Sequence, residues 1–333
     1  MAARIAVDAM GGDHAPHAIV RGAVQALSAR DDIELVLVGD ETRIKAELDA
    51  LGGFDGKGRI RIVHASQVVG MDESPVDAIR KKKDSSLLRM TQLAADGEAD
   101  AVISAGNTGA CAAAAQLKMR PMKCISRPGI GVAVPSFHGP VVLCDVGANI
   151  QAKPRHLYEY AVLATLYSQK VLGVPSPKVG LLSVGEESQK GTDLVKQTRA
   201  LLEQDPNLCF VGNVEGRDLF SNMCQVAVCD GFVGNILLKL IEGLSEGLFP
   251  TISREFEHED PQAKAKFDSA LNRVWARHDF SEYGGAPLLG INGVCMICHG
   301  RSGDRAIRNA VLAAGKFLSH NYNEAVAERL GDQ

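Results

Sequence analysis

Long apolar runs are missing from these 333 residues. None approaches the roughly 20 residues that a membrane-spanning helix requires. No signal-peptide pattern leads into the strand-like Arg4–Val7 segment, so the chain is expected in the cytoplasm. An excess of positive charge is missing as well. A formal net charge of −4 argues against broad nucleic-acid binding, which shows as a basic domain or stripe, yet it leaves room for local binding of small anions. Low-complexity linkers and internal repeats are absent. A Walker A sequence is absent too, and the string Gly243-Leu-Ser-Glu-Gly247 follows no strand-like run as a G-x-S-x-G nucleophile elbow would, which weakens the sequence case for ATP-driven phosphoryl transfer and for a serine acyl-enzyme. With 46% hydrophobic and 23% charged residues, disorder is excluded. The apolar content suffices for one large α/β domain or for two lobes sharing a cleft.

Eight cysteines are present: Cys111, Cys124, Cys144, Cys209, Cys224, Cys229, Cys295 and Cys298. Most sit in apolar stretches, where a reduced thiol behaves as a small hydrophobe, and no disulfides are expected. Cys295-Met-Ile-Cys298-His299 matches the spacing of c-type haem attachment. That reading is rejected, because haem attachment implies export and Val294–Ile297 reads as a buried strand. No second ligand pair stands at a spacing that suits zinc.

Short β-branched runs alternate with helical patterns along nearly the whole chain. Ile5–Asp8, Ile33–Val38, Ile60–Val63, Ala101–Ser104, Val141–Asp145, Val179–Ser183 and Val226–Cys229 read as strands. This rhythm predicts βαβ units in a doubly wound, largely parallel sheet with helices on both faces. Several strands end in glycine-rich turns, where such sheets bind ligands. The segment 247–280 breaks the rhythm with an acidic patch, Glu255–Asp260, and then a helix. On that helix Phe267, Ala270, Leu271, Val274 and Trp275 share a face, ringed by Lys264, Lys266, Arg273 and Arg277. Dimer packing and reversible contact with anionic lipid both fit this tip.

Ser104–Ala110 follows a strand and opens an alanine-rich helix, an arrangement that aims backbone N–H groups at an anion. Gly106 and Gly109 allow close approach, Asn107 and Thr108 add side-chain hydrogen bonds, and plain helix capping is the alternative. A second candidate, Val184–Gly191, places Glu186, Glu187 and Lys190 at a mouth of the sheet; a solvated loop would show the same letters. A third, Cys229–Asn235 with Lys239 one turn later, sets Asp230, Asn235 and Lys239 toward one cleft. The first turn, Asp8–His14, carries Asp13 and His14 where a dinucleotide fold has G-x-G-x-x-G, and its spacing is wrong for NAD. His14 and His299 stand at strand ends, able to shuttle a proton, to bind phosphate or simply to serve the structure. The basic run Arg80–Lys83 either docks an acidic partner or solvates a helix.

Taken in order, Asp8–Asp13, Ser104–Ala110, Asp145–Asn149, Gly185–Glu187 with Lys190 and Gly191, Gly212–Gly216, Cys229–Phe232 with Gly234 and Asn235, and Tyr283–Ala286 resemble the bacterial phosphate acyltransferases of phospholipid synthesis. The likeness spans nearly the whole chain and departs from the family pattern at Gln151 and at Asn222–Gln225. It implies a fold related to phosphotransacetylase and to isocitrate- and isopropylmalate-type dehydrogenases, working as a homodimer without metal, nucleotide or other cofactor. It also implies loose peripheral membrane association. The implied reaction moves a fatty acyl group from acyl carrier protein to inorganic phosphate. The acyl phosphate would then pass to a membrane-bound glycerol-3-phosphate acyltransferase. Alternatives are a phosphotransacetylase-like enzyme using acyl-coenzyme A and a non-catalytic membrane scaffold. The expected mechanism seats phosphate on Ser104–Gly109, draws charge from Lys190 with help from Asn149 and Asn235, and attacks the thioester directly.

Overall fold

A computed structural model describes residues 2–52, 58–256, 260–278 and 280–331. In the first half, β1 (Ala3–Asp8), β2 (Ile33–Gly39), β3 (Ile60–His64) and β4 (Ala101–Ser104) alternate with α1 (His17–Ala29), α2 (Glu41–Ala50), α3 (Pro75–Lys81), α4 (Ser86–Ala95) and α5 (Thr108–Lys118). A hairpin of β5 (Gly129–Ser136) and β6 (Gly139–Cys144) leads to the second half. There α6 (Pro154–Lys170), β7 (Lys178–Leu182), α7 (Asp193–Glu203), β8 (Cys209–Val214), β9 (Val226–Val228) and α8 (Gly231–Glu255) follow. The chain closes with α9 (Pro261–His278), β10 (Ala286–Leu289), β11 (Val294–Ile297), α10 (Asp304–Ser319) and α11 (Tyr322–Leu330).

The eleven strands among the described residues form one sheet in the order β3-β2-β1-β4-β11-β10-β5-β6-β9-β7-β8. The blocks β3-β2-β1-β4-β11 and β6-β9-β7-β8 are parallel within themselves. Between them β11–β10, β10–β5 and β5–β6 pair antiparallel. Three reversals make the two parallel blocks run in opposite senses. Every strand expected from the sequence is present. β5, β8 and β10 were not anticipated, and two of these join the blocks.

The strands inside the sheet are buried on both faces, as sheets covered by crossover helices require, while the edge strands β3 and β8 are partly exposed. Alternating residues split between two cores: Ile5 and Val7 pack toward α1, α6 and α10, while Ala6 and Val102 pack toward α4 and α5. At the crossing of α1 with α10, a Cβ on Gly22 would collide with the Asp304 carbonyl, so glycine sets the approach. Burying each large aliphatic side chain here contributes roughly 1.5–3 kcal/mol.

The boundary expected at Gly247 lies inside α8, which runs unbroken to Glu255 with Pro250 within it. The helix expected after Pro261 is α9. Phe256 and Phe267 stack, and Ser253 Oγ donates to Asp268 at 3.1 Å, so α8 and α9 form a hairpin. On α9, Phe267, Ala270 and Leu271 are half-buried and Val274 is exposed; the side chains of Trp275 and Arg277 lie outside those described. No described helix is long and apolar enough to cross a membrane. All eight cysteines are unpaired, and six are buried.

Candidate active site

After β3 the chain returns to the other side of β1 as β4, which makes the β1/β4 boundary a switch point where the strand ends diverge. Asp8 ends β1 and Ser104 ends β4. Ser104 Oγ donates to Asp8 Oδ2 at 2.8 Å, Met10 N donates to Oδ1 at 3.2 Å, and Gly106 N donates to Ser104 Oγ at 3.1 Å. A Cβ on Gly11 would lie 2.6 Å from Asp8 Oδ2 and 2.8 Å from the Gly106 nitrogen, so the two glycine turns interlock. Burial pushes the Asp8 carboxyl up from its usual value against the pull of these donors.

Above this base stands the N-terminus of α5. Asn107 Oδ1 accepts from Ala110 N at 3.0 Å, capping the helix. Its Nδ2 donates to the carbonyls of Met71 at 3.1 Å and Glu73 at 3.0 Å. Asn107, expected among the catalytic groups, is therefore occupied at both ends of its amide as a cap and a clamp. Ser104 and Gly106, expected to touch substrate, are likewise committed to the buried base. Thr108 and Gly109 remain; both residues are exposed, and their backbone N–H groups have no hydrogen-bond partner among the described residues. Together with the helix dipole they form an anion seat.

Thr108 opens onto a cleft of about 210 Å³ that crosses the face of the sheet where the blocks meet. Its floor is apolar, made by Ile130, Val132 and Ala133 of β5 with Val146 and Leu238. Its rim is polar, with Asn235, Lys239 and Glu242 from α8 facing His299 and Ser302. Lys239 Nζ sits 2.7 Å from Glu242 Oε2. His299 Nδ1 accepts from Arg301 N at 3.2 Å, which puts the neutral ring's proton on Nε2 as a donor. Asn235 lies over Gly147, where a Cβ would be 3.6 Å from its Oδ1.

Thr108, Asn235, Lys239 and His299 thus meet in one place. Other expected residues do not line it. Asp230 caps α8, accepting from Phe232 N at 3.0 Å and Val233 N at 3.1 Å. Asn149 donates to Pro128 O at 2.7 Å and Tyr160 Oη at 2.8 Å, turned away to brace the chain. Glu186 faces Arg217 at 3.6 Å, and Lys190 stands exposed on the same loop. Asp13 N donates to Gly300 O at 2.8 Å, tying the first turn to the residue after His299, and His14 is exposed beside it.

The sequence reading passed over the apolar floor, Cys298 and the role of Asp8. Asp8 had a readable signal: an acid ending a hydrophobic strand just before Gly11 and Gly12. The floor had none, because β5 and β10 were not recognised as strands.

The architecture is that of phosphotransacetylases. Such an enzyme from Streptococcus pyogenes superposes with a TM-score of 0.65 at 18% identity, over 95% of this chain and 94% of that one. A 4-hydroxythreonine-4-phosphate dehydrogenase from Klebsiella pneumoniae gives 0.50 at 13% identity, over 94% of this chain and 97% of that one. These likenesses define the fold and leave the chemistry to the site. The chain belongs to the family described as fatty acid synthesis protein, whose model matches residues 3–325. Within it, a phosphate acyltransferase from Desulforamulus reducens is 47% identical over 328 residues, 98% of this chain and 97% of the relative. The resemblance drawn from the motifs is to this same family.

Proposed function

We propose that this chain is a phosphate acyltransferase that moves a fatty acyl group from the thioester of acyl carrier protein to inorganic phosphate. The observation that carries the reading is one cleft with an apolar floor that reaches Thr108, the first residue of α5, at the helix N-terminus. Phosphate seats on Thr108 and Gly109 beside Lys239, and the acyl chain lies along Val132, Val146 and Leu238. A phosphate oxygen attacks the carbonyl carbon, a C–O bond forms, and the C–S bond breaks. The thiolate leaves and takes up a proton, while His299 Nε2–H and Asn235 donate to the oxygen that becomes negative. Holding both reactants in line replaces a bimolecular encounter, an effect that reaches effective molarities of roughly 10⁵ M or more.

Direct attack is favoured over a covalent acyl-enzyme by the state of Cys298, the thiol that lines the cleft. Burial pushes it up to about 12, so it stays protonated and weakly nucleophilic near neutrality. The relation to the named relatives supports lipid synthesis as the setting. In that setting the acyl phosphate serves a membrane-bound glycerol-3-phosphate acyltransferase. The apolar stripe Phe232, Ile236, Leu240 and Leu244 on α8 supports a homodimer, and the α8–α9 hairpin supports peripheral membrane contact.

The test is phosphate-dependent release of carrier thiol from a long-chain acyl carrier protein, with acyl-coenzyme A in parallel and products identified by mass spectrometry. Acyl phosphate from the carrier thioester is the expected result. Preference for acyl-coenzyme A would reassign the donor, and no acyl phosphate from either would remove the activity.

A further inference from the structure

The chain carries net negative charge, yet beside the cleft it gathers a run of exposed bases. Arg80, Lys81 and Lys83 are exposed and form no salt bridge among the described residues. Their neighbour Lys82 behaves differently: its Nζ is bound to Val68 O at 2.7 Å and to the Glu73 carboxylate, which fixes the backbone that presents the other three. Asp72 and Asp77 are exposed toward the start of α3 and offset part of this charge. Within the same lip Met71 is 46% and Val76 53% exposed, and Val76 and Arg80, four apart on α3, share a face.

Three contacts place this lip at the cleft mouth. Asn107 holds the carbonyls of Met71 and Glu73. A Cβ on Gly109 would lie 2.7 Å from the Pro75 ring, so α3 begins against the anion seat. A Cβ on Gly300 would lie 2.7 Å from the Met71 methyl, so the lip also touches the residue after His299.

We infer that the lip of Met71, Val76, Arg80, Lys81 and Lys83 docks an acidic helix of the protein that carries the acyl thioester, delivering its arm to the Thr108–His299 end of the cleft. The inference rests on the proposed function, since it takes the donor to be a carrier protein. Complementary charge at a rim of this kind chiefly speeds encounter and fixes register, while the apolar pair supplies contact area.

The experiment compares wild type with the combined variant Arg80→Glu, Lys81→Glu, Lys83→Glu and with Val76→Asp. Each is assayed on acyl carrier protein and on the acyl thioester of pantetheine, which has neither the carrier nor nucleotide phosphates. Expected is a rise in KM for the carrier substrate of about tenfold or more, shrinking as salt is raised, with kcat and the pantetheine reaction unchanged. An unchanged carrier KM, or an equal loss on both substrates, would overturn the docking surface and leave the function standing. Wild type inactive on both substrates would overturn the function and the docking with it.

Discussion

Ser104 Oγ donates a 2.8 Å hydrogen bond to the buried carboxylate of Asp8, joining the ends of β1 and β4 at the place where the chain changes direction across the sheet. Because Ser104 also accepts from Gly106, the bond holds the turn that launches α5. Ser104→Ala leaves a buried carboxylate short of a donor, and urea unfolding should register a loss of about 1–3 kcal/mol.

Asp8 also sets a pH dependence. Its folded carboxyl is raised above the usual aspartate value of 3.8, so the folded state holds the proton that the unfolded state releases. Its contribution to stability is therefore full below that value and is lost as pH rises through the folded pKa. The unfolding free energy of wild type minus that of Asp8→Asn should fall as pH increases from about 4 toward neutrality. A flat difference over that range would remove Asp8 as the titrating group.

Asn107 separates capping from clamping. Asn107→Ala removes both the acceptor for Ala110 N and the donor to Met71 and Glu73, and should cost about 1–2 kcal/mol from the cap alone. Asn107→Asp keeps the acceptor. It should retain most stability while protease cleavage within residues 70–73 accelerates.

Lys239 and Lys190 make competing claims to the phosphate charge. Lys239 lines the cleft and Lys190 does not. Lys239→Ala should lower kcat/KM by about 10²-fold, the scale of losing one oxyanion donor, with Lys190→Ala changing little. Equal losses in the two variants would bring Lys190 to the reaction by a route that a single chain does not display.

The apolar floor should set acyl length. Val132 lines a cavity of about 210 Å³, and Val132→Phe fills part of it. The ratio of kcat/KM for long-chain over short-chain thioester should fall about tenfold or more, with the short-chain value nearly constant.

Much of the fold was legible in the amino-acid sequence. β1, β2, β4, β6 and β9 are runs of Val, Ile, Leu and Ala whose buried pattern is written in composition, and the glycine turns after β1 and β4 marked the site's base. Local chemistry suffices for these, because a strand buried on both faces must be apolar and a turn under close approach must be glycine. β5 was hidden by Gly129, Gly131 and Pro135, and β10 by having four residues with a proline among them. Each pairs with a neighbour in sequence, β5 with β6 and β10 with β11, and the two meet through a pairing far apart in sequence, Leu288 opposite Ile130 and Leu289 opposite Gly129. Their burial creates the cleft floor, so the floor was invisible until the sheet closed.

The polar residues divide in the same way. Residue type and position named Asn107, Asp230, Asn149, Asn235, Lys239 and His299 alike, since they follow strands in glycine-rich turns or, for Asn235 and Lys239, stand early in the helix after one. Which amides and carboxylates face inward, bound to Met71, Val233 or Tyr160, depends on neighbours that only tertiary contact supplies. A hydrogen-bonding group becomes available to substrate when the fold leaves it unsatisfied, and satisfaction is a property of the packed chain.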